Sequence, residues 1–144
     1  MYEEVKEEIK LCEGYVNKIY KCSEGFDTIF YGHKITPDDE YEHGIEYTKQ
    51  EGELVFERDF QRTLEAAERL IGDRPINNTA KEVIINMVYQ IGEGGVSKFK
   101  NMWKALDTED YGEASFQMLD SLWAKQTPAR AGKLAGKMRA AKEA

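Results

Sequence analysis

The sequence predicts an α+β chain, mainly α, in which one long helix joins a small antiparallel sheet lobe to a helical lobe. Three observations carry this. Apolar residues recur at helical spacing before Gly14 and again from Leu54 to Ile71. The stretch from Tyr15 to Ile35 instead consists of short runs rich in Tyr, Ile, Phe and Thr. Beyond Thr79 the helical pattern returns and continues almost to the end.

Val5, Ile9 and Cys12 lie on one face of a helix over residues 3–13, which Gly14 stops. Glu13 is thereby placed at a helix C-terminus, where the dipole disfavours a carboxylate, a first hint of function. Ser23, Glu24 and Gly25 read as a hairpin turn within the sheet lobe, residues 15–47. Thr48 and Glu51 have capping-box spacing at the head of a connecting helix over 48–72, about 30 Å long. The run Val83, Ile84, Ile85, Met87, Val88 and Ile91 predicts a helix buried at the centre of the helical lobe and ended by Gly92, Gly94 and Gly95. Shorter helices are expected near 97–106 and 108–123. A last one is expected from Thr127-Pro128, as N-cap and first-turn proline, to about Ala141. The helical lobe is then 73–144 together with the helix over 3–13, all within a single domain of 1–144.

A length of 144 residues suits one such domain. No apolar run reaches the roughly 18 residues of a membrane span. MYEEVKEEIK lacks a signal-peptide pattern, so synthesis in the cytoplasm without membrane insertion is expected. Cys12 and Cys22 are no disulfide framework and read as free thiols. The net charge of −7 argues against nucleic acid as a partner. Acid collects in Asp38, Asp39, Glu40, Glu42 and Glu46, and base in Lys125, Arg130, Lys133, Lys137, Arg139 and Lys142. Both runs read first as solvated surface; the sharper alternative for the second is a basic wall facing an anionic polymer. Two histidines offer no metal-ligand cluster, and no cofactor is expected.

The ordered stretches Glu13-Gly14, Ile19-Tyr20-Lys21 with Glu24-Gly25, Thr28-Ile29 with Gly32-His33, Asn86 to Gly92, and Trp123 with Gln126 to Arg130 resemble phage-type lysozymes, the T-even branch above all. The segment between His33 and Thr48 looks shorter than in that branch. The resemblance implies a lysozyme-like two-lobe fold, a ligand cleft between lobes, and hydrolysis of the β-1,4 bond between N-acetylmuramic acid and N-acetylglucosamine in peptidoglycan. It makes Glu13 the general acid and Arg130 its supporting cation.

The family's second carboxylate is missing, because Cys22 stands in its place. Three outcomes are open. Cys22 ionises and acts as base or nucleophile; Thr28, matching the family's water-positioning threonine, suffices with Glu13; or activity is lost. Asp27 is the local carboxylate that could substitute, ranked below Cys22 because alternation aims it away from the face of Phe26 and Thr28. Phe30 replaces a residue that is often glycine, and either fills the floor of a sugar subsite or stacks on a sugar. Gln90 and Gln117 match amides near bound sugar. His33 and Asp59 match a structural ion pair, and Trp123 and Met102 read as core.

A monomeric endolysin acting on the wall after release, or a virion-borne lysozyme, is the leading expectation. A single-glutamate lytic transglycosylase and a non-catalytic wall-binding homologue are the alternatives.

Overall fold

The computed structural model describes residues 2–143. Its elements are α1 (Glu3–Glu13), β1 (Val16–Lys21), β2 (Asp27–Phe30), β3 (His33–Lys34), α2 (Lys49–Ile71), α3 (Asn78–Ser97), α4 (Lys100–Asp107), α5 (Tyr111–Leu119), α6 (Leu122–Gln126) and α7 (Pro128–Ala140), followed by a 3-10 turn. This is the mainly α, α+β architecture expected from the sequence. The chain forms two compact units, residues 1–62 and 63–144, the division falling inside α2.

In the first unit the three strands form an antiparallel sheet in the order β1-β2-β3, with Tyr20 opposite Thr28 and Lys21 opposite Asp27. The hairpin turn closes through Cys22 N–H to Phe26 O, 3.0 Å, and Gly25 N–H to Cys22 O, 2.9 Å. Gly25 takes the left-handed backbone (φ 84°) that the turn requires. Helix α2 begins with the expected capping box. Glu51 N–H donates to Thr48 Oγ1 at 3.1 Å, and Thr48 N–H reaches back to Glu51 Oε1 at 3.4 Å.

Helix α1 belongs to this first unit. Ion pairs join it to α2, among them Lys6 to Glu57 at 3.0 Å and Lys10 to Glu53 at 2.7 Å. Val5 and Ile9, one helical turn apart, are wholly buried beneath them. Each such burial contributes about 1.5–3 kcal/mol. Gly52 lets α2 approach the sheet, since a Cβ there would lie 2.7 Å from the Tyr15 ring and 2.9 Å from that of Phe30.

In the second unit α3 carries the buried run Val83, Ile84, Ile85, Met87 and Val88. The regular helix ends at Gly92 (φ 79°, ψ 166°), as expected, and a further helical segment runs on from there to Ser97 across the kink. The helix expected over 108–123 is likewise two, α5 and α6. The chain breaks at Asp120, and Ser121 starts α6 by accepting the Ala124 N–H at 3.1 Å. Thr127 precedes Pro128, but its hydroxyl donates to Trp123 O at 2.9 Å and does not cap α7. Trp123 and Met102 are buried, as core residues should be.

His33 on β3 meets two carboxylates, Asp59 at 2.7 Å through Nδ1 and Asp39 at 3.0 Å through Nε2. Burial lowers the imidazole's pKa, but the hydrogen bonds and charge of Asp59 and Asp39 outweigh it, and the net shift is upward. Asp39 moves the opposite way, down, because bonds from Thr36 and His33 overcome its own burial. A raised histidine contributes stability that is full below its unfolded value of about 6.5 and is lost as pH rises through the higher folded value. A depressed aspartate contributes above about 3.9 and loses that contribution as pH falls through the lower folded value. His33→Gln is therefore expected to cost about 1.5–3 kcal/mol near pH 5–6, with the deficit shrinking in alkaline buffer. Thermal melts of both proteins from pH 4 to 9 check this; a deficit independent of pH would contradict it.

Candidate active site

Helix α1 ends on Glu13 because Gly14 leaves the helix at φ 73°, its N–H still bonded to Lys10 O at 2.9 Å. The half-buried Glu13 side chain rests against the β2–β3 turn at Gly32. A Cβ added to Gly32 would overlap Glu13 Oε1 and come within 3.0 Å of the carboxyl carbon. Gly32 also adopts φ 70°, so two requirements fix glycine there.

Cys22 lies at the mouth of the β1–β2 hairpin, half-exposed with a free thiol. Its pKa is lowered. Desolvation pushes it up, but backbone N–H groups of Phe26 and Glu24, the Thr28 hydroxyl and the charge of Lys34 together favour the thiolate. Thr28, opposite Tyr20, is 2% exposed, and its hydroxyl donates to Phe26 O at 2.8 Å. A single hydroxyl proton serves either that carbonyl or the sulfur at one time.

Tyr20, opposite Thr28, is a further residue of this hairpin. Its phenol pKa is raised by burial first, then by the charges of Glu13 and Cys22. Tyr20 and Cys22 are two apart on one chain run and share a face by alternation. Asp27 is engaged elsewhere, with Lys21 Nζ at 2.7 Å and His43 Nε2 at 3.2 Å. The Lys21 hydrogen bond is the largest cause of its lowered pKa.

Phe30 corrects the expectation of a sugar platform. It is 1% exposed, and its ring is enclosed by Tyr15, Tyr41 and Tyr47 at centroid distances of 6.2, 5.5 and 6.3 Å. A sealed ring cannot stack on a sugar. Its backbone still holds the glycine-like φ of 60°. Phe26, in the turn just before β2, is an exposed aromatic, with Lys34 Nζ 5.0 Å from its ring centroid.

In the second unit Arg130 is gripped by Asn86, whose Oδ1 accepts from Nε at 3.0 Å and from a terminal guanidinium nitrogen at 2.6 Å. Asn86 is wholly buried, the one amide in an otherwise apolar run, which is how sequence could have flagged it. Gln90 Oε1 accepts from the Trp123 indole at 2.8 Å, and Gln117 Nε2 donates to Glu113 at 3.1 Å. Gln117 and Trp123 line a cleft of about 390 Å³ with Ile91, Phe99, Met102 and Gln126. Gln90 is not among its lining residues, so the two amides sit in different settings.

Comparison with known proteins gives this arrangement its class. The chain belongs to the phage lysozyme family, which it matches over residues 10–143, and is a peptidoglycan-hydrolysing lysozyme, a glycoside hydrolase of the muramidase type. Among its relatives, probable T4-type lysozyme 1 of Dictyostelium discoideum is 30% identical over 93% of this chain and 92% of that protein. The pre-baseplate central spike protein Gp5 of Enterobacteria phage T4 is 30% identical over 85% of this chain and 25% of its own length. Peptidoglycan hydrolase gp36 of Pseudomonas phage phiKMV is 27% identical over 88% of this chain and 14% of that protein.

Proposed function

We propose that the protein cleaves the β-1,4 bond between N-acetylmuramic acid and N-acetylglucosamine, with Glu13 as general acid. The carrying observation is the seat of Glu13: a carboxyl at a helix end, pressed onto the Gly32 backbone with no room for another side chain. Glu13 gives its proton to the glycosidic oxygen as the C1–O bond breaks, because an alkoxide leaves poorly at neutral pH. Cys22, its pKa lowered by the hairpin amides, Thr28 and Lys34, supplies the second function. It either takes a proton from the water attacking C1 or attacks C1 itself. Thr28 orients that water, Gln90 and Gln117 bind N-acetyl and hydroxyl groups, and Arg130 is the supporting cation. The enzyme acts as a monomer on peptidoglycan strands, as an endolysin released to the wall or as a virion component. The likeness to Gp5 supports the second route.

Cys22→Ala is expected to lower the rate on purified peptidoglycan about 10²-fold, and Cys22→Asp to retain or exceed the wild-type rate. An alanine variant as fast as wild type would remove Cys22 from the mechanism. The cysteine in place of a carboxylate also favours a second reading, lytic transglycosylation by Glu13 alone. Mass spectrometry of released muropeptides separates the two: reducing ends mean hydrolysis and anhydro ends mean transglycosylation.

A further inference from the structure

We propose that Glu53 is a positioning residue for Glu13, one carboxylate whose two oxygens fix both the helix that carries the acid and the turn against which it rests. Resting on the assignment of Glu13 as the acid, the inference comes from a cluster that hydrolysis itself does not use. Glu53 Oε2 accepts from Lys10 Nζ at 2.7 Å, and Lys10 lies one helical turn before Glu13 on α1. Glu53 Oε1 accepts from the Tyr31 hydroxyl at 2.8 Å, and Tyr31 adjoins Gly32 in the β2–β3 turn. Lys49 closes the network, donating to the Tyr31 oxygen and lying 3.5 Å from Glu53 Oε1.

The surroundings make the cluster stiff. Tyr31 is nearly buried, tilted on Tyr15 at 4.9 Å and edge-on to Phe56 at 5.4 Å. Lys10 Nζ stands 4.8 Å from the Phe56 centroid, and Lys49 Nζ 4.0 Å from that of Tyr15. Hydrogen bonds to charged groups in such a setting hold geometry more firmly than neutral ones. Lys10 and the Tyr31-Gly32 turn are separate chain segments, and Glu53 ties them by hydrogen bonds where Lys10 Nζ also approaches the Tyr31 ring at 5.3 Å from its centroid. Displacing a reacting group by about 1 Å can cost about 10²-fold in rate.

The test uses the full chain and purified peptidoglycan strands, with kcat and KM measured separately. Glu53→Gln keeps the shape but loses the charge and one acceptor, and Tyr31→Phe removes one hydroxyl. Both are expected to lower kcat, by about 10- to 100-fold and about 3- to 10-fold respectively, with KM within twofold of wild type and the circular dichroism spectrum unchanged. If Glu53→Gln fails to fold, Tyr31→Phe decides alone. A lowered melting temperature with kcat at the wild-type level, measured well below the melt, overturns the proposal and makes the cluster purely a stabiliser. Glu13→Gln run in parallel separates the two claims. An inactive Glu13→Gln beside a fully active Glu53→Gln ends the positioning role alone, and an active Glu13→Gln ends both.

Discussion

Glu13→Gln is expected to lower kcat on purified peptidoglycan by about 10²- to 10⁴-fold, the usual contribution of a general acid, with the fold intact. The amide is nearly isosteric with the carboxyl and can occupy the same space against Gly32. What it cannot do is release a proton to the glycosidic oxygen. Turbidity clearing by the variant, with circular dichroism and a thermal melt as controls, measures this; a clearing rate within tenfold of wild type would mean that another group is the acid. Glu13→Asp retains a proton but draws it back by one methylene, so its activity should fall between the two.

Gly32→Ala should be almost as damaging, for a different reason. The left-handed backbone at φ 70° costs an alanine about 1–2 kcal/mol. The added methyl then overlaps Glu13 Oε1, so the acid must leave its seat. A loss of about 10²-fold in rate is expected beyond the loss in stability. Gly44→Ala is the internal control, because Gly44 has φ 83° yet a Cβ there meets nothing within 4 Å. The two substitutions should cost similar stability and differ greatly in clearing rate. Equal rates would show that the space beside Gly32 does not matter to catalysis.

Much of the fold was legible because its elements announce themselves locally. Val5 and Ile9 at helical spacing, the Thr48 and Glu51 pair and the apolar run of α3 each depend on neighbours within one or two turns. The errors arose where one pattern ran across a break. Leu119, Leu122 and Trp123 continue a helical spacing, and only the Ser121 cap shows that the chain restarts there.

The candidate site divides in the same way. Cys22 and Thr28 belong to one hairpin and Glu13 to a helix end beside a glycine, so position in sequence was informative. The two readings of Phe30 stayed open because alternation says which way a side chain points and not what covers it; Tyr41 and Tyr47 enclose it from outside the sheet. Asp39 beside His33, Asn86 beside Arg130 and Glu53 beside Lys10 and Tyr31 were unseen for a related reason. Apart from Asp39, each partner lies far along the chain, and hydrogen-bond pairing of that kind has no periodicity to betray it.

The stretch between Ile35 and Tyr47 has no strand or helix, yet it is tethered at several points. Tyr41 and Tyr47 sink their rings onto Phe30, Tyr47 N–H donates to Asn17 O at 2.8 Å, and Glu42 N–H donates to the Tyr47 hydroxyl at 2.9 Å. A path defined by a few anchors places little demand on the residues between them. Peptide inserted around Gly44 is expected to leave the ladder bonds of the sheet in register, since each doubling of loop length costs only about 0.6 kcal/mol in closure entropy. Here the protein has a natural grafting point, where foreign sequence can be displayed without reshaping the strands beneath.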